Sequence, residues 1–175
     1  MRPPSIQLTS VADAFNEQGW AHEIIEGREV LTTAFEAHHT RVQLFAQVFT
    51  QLNSLTVVGE TALEIDELRQ PLLLELLHRA NKQMNLGGLE FDLDRQRVVF
   101  RITNIFEREK FDKDIVSTMV HCTIAEVDRI IPFCTIIQQT AEDLLDDLNI
   151  ERLLLRQDLL PPVPGEGEDD EVSPI

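Results

Sequence analysis

"NLGGLEFDLDRQRVVFRI", residues 85–102, holds a glycine pair, two aspartates one residue apart and a run of alternating apolar side chains. Three readings compete for it: a phosphate cradle, a calcium loop, and a turn between two strands. A phosphate-binding glycine loop follows a strand and opens a helix, so that its N–H groups face the anion. Gly87 and Gly88 instead precede a strand, which excludes the cradle. A calcium loop beginning at Asp92 gains Asp94 as a second ligand, but it puts Arg97 where the sharp turn needs glycine and Thr103 where a bidentate Glu is required. The turn accounts for the whole pattern. A loop from Asp94 to Arg97 pairs Leu93 with Val98, Phe91 with Phe100 and Leu89 with Ile102, all facing inward, and sets Glu90 opposite Arg101 on the outside.

Upstream, "DELRQPLLLELLHRANKQ" has helical spacing. Pro71 suits a first turn, and Leu73, Leu76, Leu77 and Ala80 form an apolar stripe, which predicts a helix over 70–83. Earlier still the period is two. "REVLTTAFEAHHTRVQLFAQVFT" reads as a hairpin with His38 and His39 at its tip, pairing Glu36 with Arg41 and Phe35 with Val42; "SLTVVGE" adds a third strand. That register gathers Leu31, Thr33, Phe35, Val42, Leu44, Ala46 and Val48 on one face. The opposite face is small or polar apart from Phe45 and Phe49, which need a cover from another element of the chain or from a partner protein. "TSVADAFNEQGW" reads as a short first helix with Ser10 as its cap, Asp13 at capping-box spacing and Gly19 just past its end; Trp20 reads as a core anchor at the corner that follows.

Downstream, Ile115, Met119, Cys122, Val127, Ile130, Cys134, Ile137, Ala141, Leu144 and Leu148 recur every three or four residues, the mark of a long amphipathic helix. Pro132 predicts a kink, or two helices meeting near residue 131. Cys122 and Cys134 stand about 18 Å apart on such a helix, too far to bond, and read as free thiols. The element order is α-β-β-β-α-β-β-α: an α+β fold in which one antiparallel sheet carries helices on one face. Residues 1–150 form a single domain, and 151–175 form a C-terminal segment ending in "PPVPGEGEDDEVSPI", an acidic stretch expected to be flexible.

The 15 basic and 31 acidic residues leave a net charge of −16, which repels nucleic-acid phosphates and anionic membranes. Residues 142–175 hold eleven acidic and two basic residues, so the first 141 residues are only moderately acidic. No apolar run approaches the roughly 20 residues of a membrane span, and "MRPPSIQLTS" lacks the apolar core of a secretory signal, so the expected location is cytoplasmic. No metal, cofactor or catalytic set is predicted. His38 and His39 point away from each other at an exposed tip, and His121 and Cys122 diverge by about 100 degrees on a helix. The acids of "AEDLLDD" read as the polar face of a helix.

The texture of "LLHRANKQMNLGGLEFDLDRQRVVFRI" and "EVDRIIPF", with Asn81 before the glycine pair, the Phe91 to Asp94 step and the Asp128 to Pro132 spacing, resembles the YbjN-domain family over residues 8 to 145. The resemblance implies a fold akin to that of type III secretion chaperones, and a small acidic homodimer that binds other polypeptides without catalysis. The extra segment "NIERLLLRQDLLPPVPGEGEDDEVSPI" departs from that outline. The expectation is therefore a protein-interaction module, chaperone-like or a regulatory adaptor. Phe45 and Phe49 are its candidate contact residues, with Leu72 and Leu74 as surplus leucines for a dimer interface. Two other readings are a sensor holding a small apolar ligand between sheet and long helix, and a hydrolase using acids with His78 or His121.

Overall fold

The computed structural model describes residues 3–160; the expected flexibility of the acidic tail, residues 161–175, falls outside them. Helix α1 (Ile6–Glu17) leads into strands β1 (Glu23–Ile24), β2 (Val30–Glu36), β3 (Arg41–Phe49) and β4 (Ser54–Glu64). Helix α2 (Gln70–Asn81), strands β5 (Gly88–Asp92) and β6 (Arg97–Ile105), the long helix α3 (Lys113–Gln139) and the short α4 (Ile150–Leu154) follow. The strands make one antiparallel sheet in the order β1-β2-β3-β4-β6-β5. The α+β class and the single sheet are as the sequence predicts. The two-residue β1 is additional, being too short to show a period.

Helix α1 starts earlier than expected. Ser5, directly after two prolines, accepts the Leu8 N–H at 3.0 Å and so caps the helix. Ser10 is instead a buried helix residue: its hydroxyl donates to the Gln7 carbonyl at 2.7 Å and accepts the Phe111 N–H at 3.0 Å, tying α1 to the segment that enters α3. The C-terminus is as predicted. Gly19 has φ +71, its N–H reaches the Asn16 carbonyl, and the Trp20 N–H reaches that of Phe15, a Schellman ending. Trp20 then meets Phe15, Phe35 and His121 edge-on, with centroids 5.2 to 5.4 Å away.

The first hairpin keeps the predicted register, Glu36 with Arg41 and Phe35 with Val42. The second differs. Phe91 pairs with Val98 and Leu89 with Phe100, because the loop spans residues 93–96 rather than 94–97. The Asp92 carboxylate accepts the N–H groups of Asp94 and Arg95, each at 3.0 Å, and Gln96 takes a left-handed φ of +54, so the turn closes one residue sooner. Each partner moves by two positions, an even shift, so the inward set survives except for Leu93, which lands in the turn 67% exposed.

The inner face of the sheet (Leu31, Val42, Leu44, Ala46, Leu55, Val57, Val98, Phe100) shares one core with Leu8, Val11 and Phe15 of α1, Leu73 and Leu76 of α2, and the buried side of α3. Contact is close at Gly59 of β4, where a Cβ would stand 2.6 Å from Thr123 Cγ2 on α3. Sheet and helix touch there without a gap. Helix α3 runs unbroken through Pro132, so the alternative of two helices is corrected: Ile130, Ile131, Phe133 and Cys134 are all buried, and their packing holds the helix where one backbone bond is missing. Its buried stripe opens at Val116, with Ile115 exposed at 43%. The helix ends at Gln139, so the acids of Glu142–Asp147 sit in a 3-10 turn rather than on a helical face.

Between α2 and β5, Asn81 is fixed against the backbone of the edge strand. Its Oδ1 accepts the Leu89 N–H at 2.8 Å and its Nδ2 donates to the Leu89 carbonyl at 2.9 Å. The glycine pair lies between these two points, with Gly87 at φ +68.

Both cysteines are free. Burial pushes the Cys134 thiol up to about 12 from its ordinary 9.0. The Cys122 thiol is also raised, first by desolvation and then by the Glu126 charge. Above pH 9 the unfolded chain ionises its Cys134 thiol while the folded chain does not. The contribution is therefore fully present below pH 9 and is lost as pH climbs toward 12, at about 1.4 kcal/mol per pH unit. Urea unfolding at pH 8, 10 and 11 should show this slope in the wild type and a shallower one in Cys134→Ala, where the raised Cys122 thiol still contributes.

Candidate protein-interaction surface

The strand alternation that builds the core sends every other side chain to the far face of the sheet, away from α1, α2 and α3. Along β3 the burial alternates strictly, with Val42, Leu44, Ala46 and Val48 inward and Arg41, Gln43, Phe45, Gln47 and Phe49 outward. Pairing carries this face across the sheet in rows. One row runs Thr32, Phe45, Val58, Arg101; another runs Gln47, Thr56, Thr103; a third joins Phe49 through Ser54 to Ile105.

The face is graded along the strands. At the end near the β3–β4 turn, Phe49 is 39% exposed and Ile105 is 74% exposed, with Phe45 half-buried behind them. In the middle, Thr56 and Thr103 join their hydroxyls at 2.8 Å, and Gln43 donates to the Thr32 hydroxyl and the Thr33 carbonyl, both at 2.9 Å. At the other end charges pair. Glu60, almost buried, meets Arg95 Nη1 at 3.2 Å and Arg97 Nη1 at 3.6 Å, and Arg101 Nε meets Glu90 at 3.1 Å. The Glu90–Arg101 contact expected from the sequence is therefore made, although on a diagonal, because Glu90 sits directly opposite Val99. Among the described residues no helix covers Phe49 or Ile105.

Leu72 and Leu74 lie on the helix side of the sheet. Leu72 is half-buried against the core and Leu74 is 46% exposed, so α2 keeps one leucine for solvent. The sheet separates these two from Phe45 and Phe49, and the four do not form one patch. Ile105 belongs to the patch and escapes the sequence reading, which follows the strand only as far as Ile102; the signal lies in "RITNIF", residues 101–106, whose odd positions continue the outward set.

The groups named for a hydrolase do not converge. His121 stacks edge-on against Trp20, His78 is exposed on α2, and among the described residues neither ring pairs with a carboxylate. Among the described residues the histidine–carboxylate pair is His39 with Asp128, and its geometry is that of a clamp. The Asp128 Oδ1 accepts the His39 N–H at 2.6 Å and the Thr40 N–H at 3.2 Å, while Oδ2 lies 3.1 Å from His39 Nδ1. One carboxylate on α3 thus fastens the β2–β3 tip, and His39 is bound rather than free in water. Among the described residues no cluster of three His, Cys, Asp or Glu could hold a metal ion, and no helix is long and apolar enough to cross a membrane.

The features that carry the resemblance now have physical roles: Asn81 pins the edge strand, Asp128 fastens the hairpin, and Pro132 follows it by one turn. Residues 7–135 match the model of the YbjN family, described as "Putative bacterial sensory transduction regulator". The chain belongs to the YbjN family. None of the curated proteins matches it. Among solved structures it resembles YbjN of E. coli, described as "a putative transcription regulator", with a TM-score of 0.52 and 9% identity over 69% of this chain and 84% of that one. It also resembles a chain of the HopA1-SchA chaperone-effector complex, with a TM-score of 0.50 and 12% identity over 69% of this chain and 88% of that one. At these identities the likeness is one of fold alone.

Proposed function

We propose that this protein is a non-enzymatic interaction module, a chaperone-like or regulatory adaptor that acts in the cytoplasm as a homodimer and takes no cofactor. The observation that carries the reading is the uncovered sheet face, where Phe45, Phe49 and Ile105 form an apolar end beside a polar, internally paired centre. Such a face gains from burial against another polypeptide, and its paired polar groups need no ligand of their own. The family's description as a regulator and the shared fold with a chain of a chaperone-effector complex support a role in binding proteins. Leu72 and Leu74 are the proposed dimer contacts.

Phe45→Glu, Phe49→Glu and Ile105→Glu test the sheet face. At sites this exposed, Phe49→Glu and Ile105→Glu should change folding stability by no more than about 0.5 kcal/mol. A tagged pull-down from native lysate should lose its partner with each variant while circular dichroism stays unchanged. If folded variants retain every partner, the face is not the binding surface. Sedimentation equilibrium tests the dimer: a species of about twice the 20.0 kDa chain mass is expected at micromolar concentration, reduced to one chain mass by Leu74→Glu.

A further inference from the structure

The body of the protein closes at Thr140. Arg69, at the start of α2, donates from Nε to the Ile137 carbonyl at 3.2 Å and from Nη2 to the Thr140 carbonyl at 2.7 Å, fixing the end of α3. Past that point the character of the attachment changes. Among the described residues, every hydrogen bond and ion pair made by residues 141–160 stays within that segment: Asn149 caps α4 through the Arg152 N–H, Arg156 pairs with Asp158, and the backbone bonds are turns of three or four residues. What joins the segment to the body is apolar contact alone. Leu145, Ile150 and Leu153 are buried and α4 lies against α2, with Leu148, Leu154 and Leu159 packed at the border of the core.

A five-residue helix is far too short to hold its shape in water, so α4 is helical because it is seated. A seat made without polar anchors releases its occupant more readily than the hydrogen-bonded clamps at Asn81 and Asp128 release theirs. Within α2 the charges cancel, Arg79 pairing with Glu75 at 2.7 Å; cations flank the helix at Arg69, which pairs with Asp66, and at Lys82, whereas residues 141–160 hold six acidic and two basic residues. An acidic amphipathic segment thus rests on a helix with a cation at each end.

We propose that α2 presents a docking seat for an acidic amphipathic helix with apolar residues at i, i+3 and i+4, and that residues 141–160, through Ile150, Leu153 and Leu154, occupy it in cis until a partner helix of the same chemistry displaces them. The seat lies on the helix side of the sheet, so it stands or falls independently of the Phe45, Phe49 and Ile105 surface.

The probe is a fluorescein-labelled peptide of residues 141–160, added to the full chain and to the full-length Ile150→Glu/Leu153→Glu variant. Anisotropy should show the variant binding at least tenfold more tightly than the wild type, more weakly as salt is raised. A peptide carrying the same two substitutions should bind neither. A folded variant that binds no better than the wild type overturns the proposal, and binding indifferent to salt overturns its acidic specification. Hydrogen exchange on the wild type decides the matter if the variant unfolds. Amides of residues 150–155 should exchange by local opening, with rates insensitive to low urea, while those of β4 and β6 require global unfolding; exchange of both sets only on global unfolding overturns the proposal. A wild-type dimer that dissociates in the variant would assign the seat to the segment of a second copy and likewise overturn occupancy in cis.

Discussion

Gly87→Ala is expected to destabilise the protein by about 2–5 kcal/mol, lowering the melting temperature by roughly 10 °C. Two costs add. With φ at +68 the residue sits in the left-handed region, which disfavours any side chain. In addition, the new Cβ would stand 2.4 Å from Phe100 Cζ and 2.7 Å from the Arg101 carbonyl oxygen. Neither neighbour can move freely, because Phe100 is fully buried and Arg101 belongs to the ladder between β4 and β6. Gly27 separates the two effects. It has nearly the same φ, +71, but nothing within 4 Å of its Cβ position, so Gly27→Ala should cost only about 1 kcal/mol. Asparagine, which tolerates this backbone region, should restore most of the loss at 27 and little of it at 87. Equilibrium urea unfolding of the four variants measures this. Equal losses at the two sites would mean that backbone conformation, and not the approach of β6, makes residue 87 a glycine.

Asp128→Ala should cost about 2–3 kcal/mol, the range for hydrogen bonds to a charged group whose removal strands backbone donors. Asp128 is 4% exposed, and its carboxylate engages two N–H groups and one ring nitrogen across 88 or 89 residues of chain. Its loss frees the β2–β3 tip from α3. Hydrogen exchange should therefore quicken at residues 37–41 in the variant and stay unchanged in β5. His39→Ala removes only the ring contact, so its cost should be the smaller, near 1 kcal/mol. In a double-mutant cycle the two losses should fail to add, because both act on the same carboxylate. Strict additivity would show that the ring contact contributes nothing in solution.

What could be read in the chain, and what could not, follows from the range of the interactions involved. The β2–β3 register was legible because alternation and the Glu36–Arg41 pair are local. The stripe of α2 was legible for the same reason, and both Phe45 and Phe49 point outward as their parity requires. The second hairpin was displaced because apolar alternation fixes which face a residue takes but leaves even slips open. Those were decided by the Asp92 carboxylate on two N–H groups, a matter of turn chemistry. Ser10 misled because capping-box spacing also occurs inside helices, while the true cap, Ser5, is marked by the prolines before it. The Asp128 clamp and the seating of α4 join residues remote in sequence, and no periodicity encodes such contacts.

Asn81 bears on how molecules of this protein can meet. A strand adding to the free side of β5 would need the outward N–H and C=O of alternate residues, Leu89 and Phe91, and the asparagine amide already satisfies both groups of Leu89. The opposite border is a strand of two residues. Each margin of the sheet is thus too short or too occupied to template a neighbour, which guards against open-ended fibrillar stacking. Copies of this chain are left to join face to face or helix to helix, contacts that close on themselves.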